Sequence, residues 1–486
     1  MTSKPNVRVE RDSMGPVEVP AEAYYGASTQ RAVLNFPISR ERFPRRFIRA
    51  LGLIKAAAAQ VNKELGLLKA ESADAINQAS QEVAEGKWDG EFVLDIFQTG
   101  SGTSTNMNAN EVISSRANEL LGGRKGDRKP VRPNDEVNKC QSSNDVIPTA
   151  IHLAALEALR HDLLPALEVL ATGLENKAAE FKDVLKTGRT HLQDAVPVML
   201  GQEFSGHASQ VRHAIARVKM AMSHIEEVPI GGTALGTGLN APPEFGGRVC
   251  SVLAKTTGIP VREAENKFEA MGARDALVEA SGALKVVAVS LIKIASDIRL
   301  LACGPRAGIA EISIPEVQPG SSIMPGKVNP VIPEMMIQVG AQVIGNDAAV
   351  TLGGVFGQLD LNVMMPLMAH NLLESVALLS TGARVFNDRC VSSGPPMPDN
   401  PENVKGIRAN RERCRSLVEH SLMPVTALVP RLGYQEAAKI AKEAHKTGKT
   451  VREVVLERKL IPEPELDALL ELSAMTQPGL REGAGG

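Results

Sequence analysis

From Leu277 to Leu301 the chain runs without a proline, and Leu277, Leu284, Val287, Leu291, Ile294, Ile298 and Leu301 recur at spacings of three, four or seven residues. A helix brings such positions onto one face, and a strand does not. The stretch therefore predicts a long helix with a continuous apolar stripe. Similar patterns run through 146–181, 201–228, 330–352 and 361–387. Five long helices make a bundle, since each must bury its stripe against the others. Stripes of this length also suit association between subunits. Aromatics are 3% of the chain, so Ala, Leu, Val, Ile and Met supply the core, a balance that favours close-packed helices. The expected fold class is mainly α, built on this central bundle.

Around the bundle, Arg45–Leu65 and Glu71–Glu85 are Ala-rich, proline-free and helical in spacing. A Gly-Ser-Gly loop at 100–102 leads into NMNANEVISSRANELL, whose asparagines suit an N-cap and which stops before Gly122-Gly123. The polar segment GGRKGDRKPVRPND separates that region from the long helices. After Cys390 the composition turns to SSGPPMPDNPENVKG, a Pro-rich linker, followed by a smaller helical region and the tail TQPGLREGAGG. With 486 residues the chain exceeds one ordinary core. Three domains are expected: an N-terminal helical domain over 1–139, the five-helix bundle over 140–392, and a small C-terminal helical domain with a flexible tail over 393–486.

The formal net charge is -2 with both signs abundant, which supplies no basic stripe for nucleic acid and leaves a small molecule as the expected partner. Five cysteines, odd in number, scattered and without CxxC spacing, point away from a disulfide framework, a zinc site or an iron-sulfur cluster. The first residues, MTSKPNVRVERDSMG, lack the apolar run of a signal peptide, and no run approaches the roughly 20 apolar residues that span a bilayer. A cytoplasmic protein without membrane contact is expected.

The chemistry concentrates in loops that precede helices. Gly100-Ser101-Gly102-Thr103-Ser104-Thr105-Asn106 and Gln141-Ser142-Ser143-Asn144-Asp145 each place hydroxyls and free N–H groups at a helix start, the second opening a helix expected to carry Pro148 in its first turn. Such ends hold anions, so each could bind a carboxylate. The stretch Pro319–Pro330 adds Lys327, a full positive charge, to the same arrangement. One such loop is ordinarily only a cap; three together suggest a site. His191, in the polar loop GRTHLQD at 188–194, stands apart from His152, His161, His207, His213, His224, His370, His420 and His445, which fall mostly within helical patterns. No metal-ligand spacing joins these histidines to carboxylates. Gly231–Gly238 imitates a phosphate cradle, but no Walker lysine follows and no βαβ context surrounds it, so a tight loop is expected. The Met and Leu residues at 361–372 read as core.

The strings SSIMPGKVNP at 321–330 and GRTHLQDA at 188–195 resemble the signature and histidine loops of the fumarase/aspartase superfamily, and QTGSGT, NKCQSSND, GGTALGTGLN and NKFEA extend the resemblance over nearly the whole chain. Thr99, Ser101, Gly326 and NKFEA resemble the class II fumarases, whereas Cys140 and GTST look more like aspartases. The resemblance implies a lyase that reversibly and stereospecifically hydrates fumarate to L-malate, the tricarboxylic acid cycle reaction, without metal or other cofactor. It implies a three-domain subunit whose central helices build a 20-helix core in a homotetramer, each active site drawing on three subunits.

By the same resemblance His191, Ser321, Lys327 and Glu334 are the catalytic residues. Ser101, Thr103, Ser142, Ser143, Asn144, Thr190, Ser322 and Asn329 bind substrate. A second dicarboxylate site is implied at Lys129, Arg132, Asn134 and Asp135, where the class often reads HPND and this chain reads RPND. Ser321 is expected as base, Lys327 and Asn329 as stabilisers of the dianion, His191 as the group that handles the proton of water, and Glu334 as the residue that orients His191. The alternatives are an aspartate ammonia-lyase and a non-catalytic structural relative of the lens-protein kind. Retention of all five reactive side chains disfavours the latter.

Overall fold

The computed structural model describes residues 6–392 and 406–479, so most of the Pro-rich linker and the end of the tail lie outside the described residues. The long helices occur where the apolar periodicity places them: Leu200–Ile225, Asp275–Leu301, Val331–Val355 and Met365–Phe386, with Ser143–Ala158 and Leu164–Glu180 joined through a π turn at Leu159–Leu163. Leu277, Leu284, Val287, Leu291, Ile294 and Ile298 are all buried, as the stripe requires. Met365, Met368 and Leu372 are fully buried core.

The described residues cluster into two compact units, the first over residues up to 165 with 214–288 and 339–380, the second over 166–213, 289–338 and 381 onward. In the first, the Arg45–Glu64 helix packs on Ala70–Ala84 and on Ser143–Ala158. Its buried face carries Ala50, Ala56, Ala57, Ala58 and Ala59, small side chains that let helices approach closely. In the second, the rings of Phe181 and Phe204 meet edge to face at 5.2 Å beneath an antiparallel hairpin, Leu185–Thr190 with Gln193–Met199. A separate small core gathers Leu428, Ile440, Val454, Val455 and Leu466 from the C-terminal helices.

Three local expectations are corrected. The helix after the Gly-Ser-Gly loop begins at Thr103, with Gly102 at its N-cap, so the asparagines are not caps. Asn106, Asn108 and Asn110 lie buried inside it and donate to Asn138 Oδ1, the Glu91 carbonyl and Asn138 Oδ1 respectively. Buried amides without tertiary partners are costly, and these serve as cross-links. Pro148 sits in the second turn of its helix, not the first, and removes the N–H that would reach the Asn144 carbonyl. Two-stranded ribbons also form, including Val7–Asp12 with Gly15–Pro20, where no strand was expected. Among the described residues no helix is long and apolar enough to cross a membrane.

Candidate active site

In the first unit, two helix starts converge. The amide of Asn106 reaches Ser143 Oγ at 3.4 Å, and Asn138 Oδ1 accepts from Asn106, Asn110 and Lys55 Nζ, the last at 2.9 Å. Ser101, which is 7% exposed, shares a hydrogen bond of 2.8 Å with Thr103 Oγ1 at the first helix start. At the second, Ser142 Oγ accepts from the Asn144 N–H and the Asn144 side chain donates to the Ala234 carbonyl at 2.8 Å. Ser101, Thr103, Ser142, Ser143 and Asn144 thus flank two adjacent helix N-termini, where the backbone supplies positive potential.

Asp145 underlies this cluster and was assigned no role from sequence. It is fully buried, and its carboxylate accepts from the backbone N–H groups of Ser142 (2.8 Å), Gly231 (3.0 Å) and Thr233 (2.9 Å). It caps the helix and pins the Gly-rich loop against it. Burial pushes its carboxyl up to about 7 against the pull of those donors, and burial lowers Lys55 to about 7. The two linkages oppose each other: the Asp145 contribution to stability is present at acid pH and lost as pH rises through 7, whereas that of Lys55 is present at alkaline pH and lost as pH falls through 7. In Asp145→Asn a side-chain NH₂ group replaces an oxygen that accepts two backbone donors. Urea denaturation at fixed protein concentration is expected to show a loss on the order of 3 kcal/mol; an unchanged midpoint would remove the anchor role.

The Arg132 segment forms a separate feature of this unit. Lys129, Arg132, Asn134 and Asp135 line a cavity of about 660 Å³ together with Arg128 and Asp12. Arg132 pairs with Asp135 at 2.9 Å, and its backbone N–H donates to Glu136.

In the second unit, His191 stands exposed at the tip of the hairpin. Thr190 pairs with Gln193, leaving His191 and Leu192 as a two-residue turn with φ of 57° and 60°. Two-residue hairpin turns favour positive φ, but His and Leu adopt it with strain, and such strain clusters at functional positions. The strand register shifts between Thr187 and Arg189, and a side chain at Gly188 would approach the Val196 carbonyl to 2.5 Å, so the bulge below the tip requires glycine. A bulge sharpens the local twist and so sets the direction in which the tip projects.

The loop 319–330 folds back on itself. Asn329 donates to the Gly320 carbonyl, and a Cβ at Gly320 would lie 2.1 Å from the Lys327 carbonyl, so the two limbs touch through backbone. Ser321 Oγ accepts from the N–H groups of Met324 at 3.0 Å and Ile323 at 3.3 Å. Two donors converging on one hydroxyl oxygen stabilise negative charge there. Lys327, Asn329 and Glu334 line a cavity of about 1330 Å³ with Arg299, Arg408 and Asn410; Ser321 and Ser322 lie on the other limb and do not line it. Glu334, in the first turn of its helix, pairs with Arg299 at 3.8 Å. Among the described residues of one chain, no ion pair joins Glu334 to His191.

Sequence reasoning also missed the buried charges beneath the hairpin. Lys186 and Glu311, 1% and 0% exposed, lie 3.2 Å apart, and Arg189 reaches Glu311 at 2.9 Å. The remaining histidines all lie in helical segments, as expected from their surroundings. Burial lowers His152 to about 4, holding it neutral with its Nδ1 on the Ile225 carbonyl.

The arrangement resembles known proteins along nearly its whole length. A family described as Lyase matches residues 15–345, and one described as Fumarase C C-terminus matches 425–477. The fumarate hydratase class II of Ralstonia nicotianae is 52% identical over 461 residues, covering 95% of this chain and 97% of its own. That of Mycobacterium tuberculosis is 53% identical, covering 97% of this chain and 96% of its own. The crystal structure of recombinant class II fumarase from Schistosoma mansoni superposes with a TM-score of 0.92 at 40% identity, covering 97% of this chain and 99% of that one.

Proposed function

The chain belongs to the lyase family of the class II fumarate hydratases, and on that premise we propose how its own residues carry the reversible hydration of fumarate to L-malate. It is a hydro-lyase of the tricarboxylic acid cycle reaction. The observation that best supports the residue roles is the folded loop 319–330, which holds a serine oxygen on two backbone donors and a lysine and an asparagine beside a cavity.

In the dehydration direction, a proton must leave a carbon next to a carboxylate, and the electron pair moves into that carboxylate as a dianion. Ser321 takes the proton, its oxyanion form stabilised by the Ile323 and Met324 N–H groups. Lys327 and Asn329 stabilise the dianion. The hydroxyl then leaves as water with a proton from His191, while Glu334 orients that ring and favours its charged form. Ser101, Thr103, Ser142, Ser143, Asn144, Thr190 and Ser322 hold the carboxylates and the hydroxyl with neutral donors. Proton transfer and electrostatic stabilisation account for each step, so no cofactor enters the scheme. Lys129, Arg132, Asn134 and Asp135 form a second dicarboxylate site in the 660 Å³ cavity, with Arg132 as the attracting cation.

The working form is a homotetramer in the cytoplasm, with subunits divided into domains 1–139, 140–392 and 393–486 and with a shared 20-helix core. Two observations support the assembly. Met220, Val289 and Leu352 are exposed on the long helices, at 66%, 53% and 57%, apolar positions that neighbouring subunits would cover. Among the described residues of one chain Glu334 pairs with Arg299 and not with His191, which suits an active site completed by three subunits. All five thiols are free, as a reducing compartment allows. Sharing predicts complementation: subunits bearing His191→Asn, co-assembled with subunits bearing Lys327→Met, recover activity because some sites receive both native residues. No recovery in verified mixed tetramers would place both residues of each site on one chain. Release of ammonia from L-aspartate in place of water from malate would favour the ammonia-lyase alternative.

A further inference from the structure

Beneath the His191 hairpin lie two cations and two carboxylates. Glu311, with no exposed surface, accepts from Arg189 Nη1 through both oxygens, at 3.0 and 2.9 Å, and lies 3.2 Å from Lys186 Nζ. Lys186 also donates to Glu203 at 2.9 Å and to the Thr187 carbonyl at 2.8 Å. Arg189 precedes His191 by two residues, so its guanidinium is the last fixed side chain before the strained tip. The backbone of Glu311 is equally tied: its N–H donates to the Leu301 carbonyl, and its carbonyl accepts from Asn410 N–H at 2.9 Å and Cys414 Sγ at 3.4 Å. It immediately precedes the Ile312–Ser313 strand, which leads into the loop carrying Ser321.

We propose that Glu311 is a positioning residue for the reaction, its buried carboxylate clamping Arg189 and Lys186 so that the hairpin presents His191 in one orientation. The proposal rests on the reading of His191 as the group that handles the proton of water. A hairpin tip exposed to solvent has few contacts of its own, and two residues in strained backbone return to relaxed conformations unless their base is held. The clamp is a charge-assisted contact in which Arg189 Nη1 is shared between both Glu311 oxygens while Lys186 Nζ holds the same carboxylate from a second direction. Its two cations balance its two carboxylates, which is what lets Lys186 and Glu311 remain buried.

Arg189→Gln removes the guanidinium charge and its contact with Glu311, and tests the clamp at its less buried end. The expected result is a kcat for L-malate lower by about tenfold or more, because small misplacements of a reacting group are costly. The KM should rise by much less than kcat falls, because the carboxylate-binding helix ends are untouched and only Thr190 of the binding residues lies on the hairpin, and the limb of the kcat–pH profile set by His191 should move. Glu311→Gln should act in the same direction and Glu311→Asp, which keeps the charge, should recover much of the loss. Rates are taken per folded tetramer, so a purely structural role, which lowers only yield or thermal stability, leaves kcat and the pH profile in place. Wild-type kcat and pH profile in Arg189→Gln would overturn the proposal, and this holds even where Glu311→Gln fails to fold. A parallel His191→Asn separates the two levels: if that variant turns over normally the reading of His191 itself falls, whereas an inactive His191→Asn beside a fully active Arg189→Gln removes only the clamp.

Discussion

Replacing His191 with asparagine is expected to lower kcat for L-malate roughly a thousandfold while the native assembly, sized by light scattering, keeps its mass. The substitution is chosen for the backbone. His191 sits at φ 57°, and asparagine tolerates that region better than other polar residues, so the turn between Thr190 and Gln193 survives. Among the described residues of its own chain, the exposed ring makes no hydrogen bond that holds the fold together. What asparagine cannot do is exchange a proton near neutral pH. Near-normal turnover by this variant would remove His191 from the mechanism.

Lys327→Met is expected to harm both rate and binding, with kcat falling by about a hundredfold or more and the KM for malate rising. The lysine lines the cavity beside Asn329 and Glu334, and in the proposed mechanism its charge meets a carboxylate in the substrate and a dianion in the intermediate. The second carries more charge, so the rate suffers more than the affinity. Methionine keeps the stem length, and Lys327 is exposed at its end of the loop, so folding is little affected. Unchanged saturation behaviour and an unchanged rate would count against this role.

The long helices were legible because each repeats one physical signal, an apolar stripe, over several turns, and Leu277–Leu301 shows it at every expected position. The π turn at Leu159–Leu163 and the two-stranded ribbons were not, because five or six residues hold too little periodicity to distinguish a short strand from a loop. The asparagines at 106, 108 and 110 mislead for a related reason: a cap and a buried cross-link use the same side chain, and only the tertiary partner, Asn138 for Asn106 and Asn110 and the Glu91 carbonyl for Asn108, separates them. The candidate site divides in the same way. Ser101, Ser142, His191 and the loop 319–330 announce themselves through local composition. Asp145 left a partial trace in the Ser-x-x-Asp pattern of a capping box. Glu311 left none, since its function depends on Arg189 and Lys186, more than a hundred residues away along the chain. The proposed pairing of Glu334 with His191 belongs to neither local pattern nor single-chain packing, since within the described residues Glu334 pairs with Arg299; it is a property of the proposed assembly.

Hydration of fumarate without an added cofactor is read out by the absorbance of the fumarate double bond. Purified protein is mixed separately with L-malate and L-aspartate in metal-free buffer containing a chelator. Fumarate is expected from malate and none from aspartate; absorbance that rises with aspartate alone, or with neither substrate, would overturn the hydratase assignment.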